Sequence, residues 1–140
     1  MTSRDPKDWG PSVWLTMHMF SLNFPAMPTL DQQRGAEDFF RGMVYLIPCP
    51  PCAQHYKMAL DKFPPPVHSG EALFEWTVML HNKVNARLGK KVLTVEEAAR
   101  VTIRNIDEQN NHMYLILGLI ALILAVAVYL KKRKGVIDLK

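Results

Sequence analysis

The sequence predicts an all-α protein: a four-helix bundle with a short fifth helix, followed by one transmembrane helix at the C-terminal side. Three observations predict it. Apolar residues ahead of position 112 recur at helical spacing, no useful length of the chain alternates as a strand would, and residues 113–130 read MYLILGLIALILAVAVYL without a charged side chain. A chain of 140 residues suits one domain, since domains commonly run to roughly 100–200 residues.

The first helix is expected from Pro11 to about Phe24, because Pro suits a first helical turn and Pro25 and Pro28 cannot continue a helix. The second runs from about Thr29, a plausible N-cap, to Ile47, with Phe39, Phe40, Met43, Val44 and Ile47 on one face. The third opens at Cys49-Pro50-Pro51-Cys52 and ends near Phe63, before the stiff Pro64-Pro65-Pro66 connection. The fourth follows Ser69, carries Glu71 and Glu75 near its positive end, and aligns Leu73, Trp76, Leu80, Val84 and Leu88 in one stripe. Gly89 is placed to stop it. The fifth opens at Thr94 with a Thr-x-x-Glu capping box and runs to about Asp107. Residues 108–112 are expected to form a polar hinge.

The 18 residues 113–130 reach the length at which an apolar run reads as a membrane span, roughly 18–20 residues. A buried core helix would keep a polar stripe, and this segment has none. Up to residue 112 the chain holds 12 basic and 12 acidic residues, so the net charge of +4 belongs to the tail, residues 131–140. A neutral domain offers no basic surface for nucleic acid. Lys131–Lys134 instead suit a lipid-headgroup flank. No cleavable signal peptide is visible in MTSRDPKDWG, and a single-pass, C-terminally anchored protein is expected. The positive-inside rule puts the basic tail in the cytosol, whereas a span that leaves the ribosome last keeps the domain there. The second argument is preferred, with the domain on the cytosolic side of the membrane.

The chain has two cysteines, Cys49 and Cys52, three positions apart. A redox disulfide, part of a zinc site and two merely buried thiols all remain open. Zinc asks for four ligands, and no His-x3–5-His pair accompanies the cysteines, so no metal site is expected. The redox reading has a physical basis: residues three apart on a helix share a face, and a helix N-terminus stabilises a thiolate at Cys49. Thioredoxin-type pairs sit near βαβ patterns, and this chain shows none, so a dithiol here needs a different electron acceptor.

Three blocks of sequence stand out: Trp9-Gly10-Pro11-Ser12-Val13-Trp14-Leu15-Thr16-Met17-His18, the run Tyr45 to Tyr56 around Pro48-Cys49-Pro50-Pro51-Cys52, and Trp76 to Lys90 with His81-Asn82-Lys83-Val84-Asn85. Together they resemble the ERV/ALR family of FAD-linked sulfhydryl oxidases. They occur in the family's order and span about Trp9 to Lys91. The resemblance implies an FAD-dependent thiol oxidase domain over residues 1–107, acting on a dithiol protein (a thioredoxin-like carrier or a substrate protein) and on molecular oxygen, with hydrogen peroxide as product. It implies that Cys52 lies against the flavin and Cys49 meets the substrate. Gly10, Trp14 and His18 would line the cofactor site from the first helix, and Tyr45 and His55 would approach it from around the disulfide. His81, Asn82, Val84, Asn85, Leu88 and Lys90 would hold FAD from the fourth helix, with Lys91 assisting.

Without the resemblance, Trp14 and Trp76 read as core aromatics and His18 and His81 as ordinary hydrogen-bonded histidines. The rival from another class is a tail-anchored helical adaptor with a structural or metal-binding Cys pair. The chain departs from many family members in lacking a shuttle pair and a structural disulfide, and Met79 stands where a Cys is common. Minimal anchored versions of this shape look most like those of large DNA viruses, which implies a host or virion membrane, and a homodimer through the first two helices is implied.

Overall fold

The computed structural model describes residues 5–137. Their regular structure is helical throughout, with no strand among the described residues: α1 (Pro6–Leu22), α2 (Leu30–Leu46), α3 (Pro50–Lys62), α4 (Gly70–Arg87) and α5 (Val95–Ile137).

Helix α1 starts earlier than Pro11. Asp5 takes the N-cap and accepts from the Lys7 amide at 2.9 Å, with Pro6 in the first position. Pro11 therefore lies inside the helix. Both prolines satisfy the first-turn rule, and the Asp5 cap selects the earlier one. Pro11 and Lys7 are exposed, so water can take the carbonyl that proline leaves unbonded.

The other starts fall where their caps predict. Thr29 and Gln32 close a reciprocal capping box on α2, and Ser69 accepts from the Ala72 amide on α4. Thr94 and Glu97 close a second box at the start of α5. Gly70 must be glycine for a packing reason: its amide donates to the Pro25 carbonyl at 2.9 Å, and a Cβ there would run into the Phe24 carbonyl. Gly89 ends α4 with φ of 65°, a left-handed conformation that costs glycine nothing.

Helix α1 packs against α4 and α2 against α3. One core joins all four: Met17 from α1, Phe40 and Met43 from α2, Tyr56 and Leu60 from α3, and Leu73, Trp76 and Leu80 from α4. Trp76 is a core residue whose indole N–H donates to the Phe63 carbonyl at 2.8 Å, and the Tyr56 hydroxyl donates to the Phe40 carbonyl at 3.0 Å. Large aromatics are thus buried with their polar tips bonded, as a stable core requires. A smaller cluster sets Phe74 and Val78 of α4 against Ala98 of α5.

The chain divides into two compact units, one up to Thr102 and one from Ile103 onward. The expected break at 108–112 is absent, and α5 runs through it as one helix of 43 residues. The DEQNNH stretch contains weak helix formers but neither Pro nor Gly, so nothing forces an end. Arg104 and Glu108 also form an i,i+4 pair at 3.6 Å. Every residue from 113 to 130 is exposed, so this apolar stretch is not a core helix. Its 18 residues span about 27 Å as a helix, against roughly 30 Å of bilayer hydrocarbon. It suits a membrane anchor C-terminal to the bundle.

Candidate functional site

Cys49 is the N-cap of α3, and the next two residues are Pro50 and Pro51. Neither proline has an amide hydrogen, so the first free N–H of the helix is that of Cys52, and it donates to Cys49 Sγ at 3.3 Å. The sequence Cys-Pro-Pro-Cys therefore aims the helix's opening donor at the first sulfur. The two cysteines form a disulfide with Cα atoms 5.2 Å apart. Sulfurs bonded to each other are the redox reading of the pair, not the zinc reading. Both cysteines are half-buried, while Leu46, Pro48, Pro50, Pro51 and His55 around them are exposed. Tyr45, in the last turn of α2, is 89% exposed.

The second feature lies between α1 and α4. Trp14 stacks on His81 with ring centroids 4.3 Å apart and planes 3° from parallel. His18 Nε2 lies 2.9 Å from His81 Nδ1, and His18 Nδ1 lies 3.2 Å from Thr77 Oγ1. Ser21 Oγ completes the row at 3.0 Å from Thr77. Helix periodicity assembles this face: Trp14, His18 and Ser21 are spaced i, i+4, i+7, and Thr77 and His81 are i, i+4. Burial, with His81 alongside, lowers the His18 pKa to about 4. Burial, with the Lys90 charge nearby, lowers that of His81 to about 4. Both rings are neutral at neutral pH. Gly10, one turn before Trp14, is buried, yet a Cβ on it would meet nothing within 4 Å, so room remains beside the helix there.

The structure brings Trp14, His18 and His81 into one cluster, with Lys90 close enough to be felt electrostatically. Val84 and Asn85 are half-buried farther along α4, and Leu88 is its 57% exposed C-cap. The Asn82 amide donates to the Leu93 carbonyl at 2.7 Å and accepts the Leu93 N–H at 3.0 Å, tying the α4–α5 connection to α4. Lys91 pairs with Glu97 at 2.9 Å. Tyr45 and His55 make no ring contact or hydrogen bond with the histidine cluster. Ser21 and Thr77 were not expected from sequence; their signal is helical spacing from His18 and His81 within otherwise apolar faces.

A disulfide at a helix entry, on a strandless bundle that also carries a stacked Trp–His face, defines a helical dithiol–disulfide oxidoreductase domain. The comparisons sharpen that class. The Erv1 / Alr family model matches residues 11–109. A "probable FAD-linked sulfhydryl oxidase" of Acanthamoeba polyphaga mimivirus is 32% identical over 112 residues, 78% of each chain. An FAD-linked sulfhydryl oxidase of African swine fever virus is 31% identical over 102 residues, 73% of this chain and 82% of the relative. The crystal structure of the FAD binding domain of Erv1 from Saccharomyces cerevisiae superposes with a TM-score of 0.66 at 29% identity, covering 69% of this chain and 91% of that one. The protein belongs to the Erv1/Alr family. A second model, the LPXTG cell wall anchor motif, matches residues 108–135. The sequence contains no Leu-Pro-x-Thr-Gly, so what matches there is an apolar span followed by basic residues.

Proposed function

We infer that this protein is a membrane-anchored, FAD-dependent thiol oxidase that makes disulfide bonds in a partner dithiol protein. The observation that carries the reading is the Cys49–Cys52 disulfide capping α3 within an Erv1/Alr bundle. A substrate thiolate attacks Cys49 Sγ, forming a mixed disulfide and releasing Cys52 as the thiolate. The amide of Cys52 donates to Cys49 Sγ and stabilises that sulfur when it leaves as the thiolate in the next exchange. A second substrate thiol then displaces Cys49, leaving the substrate oxidised and the enzyme's pair reduced by two electrons. Cys52 is the inner sulfur of this cycle and Cys49 the outer one.

The residues present fit FAD. Trp14 and His81 offer a flat stacked face, Gly10 leaves room beside α1, and neutral imidazoles offer hydrogen bonds without the cost of a buried charge. Gly10, Trp14, His18 and His81 would hold the cofactor, joined by Val84, Asn85, Leu88 and Lys90 along α4 and past its end. FAD, when bound, supplies the two-electron acceptor that restores the disulfide and passes the pair to oxygen, giving hydrogen peroxide. The helices keep that chemistry oriented and dry.

The test is Cys52→Ser. The variant should purify yellow with flavin yet show no dithiol-dependent oxygen uptake, and sustained turnover in it would overturn the mechanism. A second copy of the chain covers the exposed Phe20 on α1, Met27 in the α1–α2 connection and Leu30 at the start of α2. Leu30→Glu should then halve the particle mass seen by light scattering. The domain faces the cytosol: its only cysteines are the redox pair, so its fold draws on no structural disulfide made in an oxidising compartment. Labelling of Cys49 by an impermeant thiol reagent in sealed, right-side-out vesicles, after an impermeant reductant has opened the Cys49–Cys52 disulfide, would contradict this placement.

A further inference from the structure

The hydrogen bond between His18 and His81 can run in either direction, and the groups behind it decide which. Two neutral rings bonded through His18 Nε2 and His81 Nδ1 have two consistent states. Either both carry their proton on Nδ1 and His81 donates, or both carry it on Nε2 and His18 donates. Mixed states set two protons or two lone pairs against each other.

Behind His18 the demands are specific. Ser21 Oγ donates to the Met17 carbonyl at 2.8 Å, leaning also toward that of His18 at 3.2 Å, and Thr77 Oγ1 donates to the Phe74 carbonyl at 2.8 Å. Each hydroxyl has one proton. With both rings protonated on Nδ1, His18 donates to Thr77 Oγ1, His81 donates to His18, and both hydroxyl protons stay on their carbonyls. Only the Ser21–Thr77 contact is then left without a proton of its own. With both rings protonated on Nε2, Thr77 must turn its proton from Phe74 to His18, and the proton of His81 leaves the row altogether. That state serves fewer of the same contacts. Ser21 and Thr77 are 0% exposed and His18 is 6% exposed, so water does not make up the difference. The burial that keeps both rings uncharged withholds any extra proton at neutral pH. Lys90, the charged group felt by His81, is a donor and cannot reverse the direction.

We infer that Ser21 and Thr77 are positioning residues that hold His18 and His81 in their Nδ1–H tautomers, leaving His81 Nε2 a bare acceptor for an N–H or O–H group of the bound FAD. The inference rests on reading the Trp14–His81 face as part of the cofactor site. Among the described residues His81 Nε2 has no partner and no buried side-chain nitrogen or oxygen is unsatisfied, so this nitrogen lies where a ligand can reach it. Trp14, stacked at 4.3 Å, fixes the plane of the ring and with it the direction of the lone pair.

The experiment is a nitrogen-detected spectrum of the imidazoles in the full chain in detergent, read alongside FAD affinity. In the unaltered protein both rings should show a protonated Nδ1 and a bare Nε2 at neutral pH. Thr77→Val keeps the volume but removes the oxygen that accepts from His18. It should move both rings toward Nε2–H and weaken FAD binding about tenfold, or about 1.4 kcal/mol. Thr77→Ser retains the oxygen and should restore both readouts, while helicity by circular dichroism verifies that each variant folds. An Nε2–H tautomer at His81 in the unaltered protein, or unchanged tautomers in a folded Thr77→Val, overturns the inference. Shifted tautomers with unchanged FAD affinity overturn its cofactor half, and His81→Ala then separates the causes. If His81→Ala loses FAD, only the acceptor role of His81 Nε2 has failed; if it keeps FAD, the reading of this face as the cofactor site has failed.

Discussion

At the scale of single residues, the site is an economy of protons. His18 and His81 are both lowered to about 4 by burial, below the ordinary histidine value of about 6.5. Between those values the unfolded chain binds protons that the folded chain refuses, so stability rises with pH across that window. Acidification from pH 6.5 toward 4 should therefore lower the melting temperature, with up to two protons taken up on unfolding. His18→Gln together with His81→Gln should flatten that dependence, as thermal scans at several pH values would register. Much of this was legible beforehand: Trp14, His18 and His81 stand at spacings that put each set on one helix face. Ser21 and Thr77 were not, because small hydroxyls inside an apolar stripe read as filler until the carbonyls and rings around them are seen. The Asn82 amide has its hydrogen-bond partner in backbone eleven residues away, which no local spacing reveals.

At the scale of elements, the ends were more legible than the middles. Thr29, Ser69, Thr94 and Cys49 all cap the helices they were expected to open. The start of α1 was misplaced because two prolines met the same rule, and the α5 break was misplaced because polar composition was taken for a stop signal without a Pro or Gly. The Asn82–Leu93 clamp makes a prediction at this scale. Asn82→Ala removes two hydrogen bonds from a half-buried connection and should cost about 1–3 kcal/mol, seen as a lower denaturation midpoint with an unchanged denaturant slope. Because the clamp sits one residue beyond His81 on α4, the same variant should also weaken FAD retention. Asn82→Asp, which keeps the acceptor but loses the donor, should fall between the two in stability.

At the scale of the whole molecule, a neutral bundle and an apolar helix with a basic flank divide the work between chemistry and location. The anchor reading predicts that the protein stays with membranes through alkaline carbonate extraction. Replacing Leu119 and Leu122 by Lys should release it, since a lysine at a helix centre costs roughly 2.5–3.5 kcal/mol on insertion scales. The membrane segment was the most legible part of the chain, because one run of 18 uncharged residues needs no tertiary information. Which helices pair in the bundle could not be read, because every stripe is equally apolar until packed. The sole disulfide carries a larger consequence. The chain can store one pair of electrons on sulfur and has no second pair in which to queue another. Within these 140 residues, electrons from a dithiol therefore enter directly at Cys49–Cys52. Any dithiol must reach Cys49 past the exposed side chains around it, Tyr45, Leu46 and the flanking prolines, so changes there alter access to the sulfur while leaving the buried histidine row as it is.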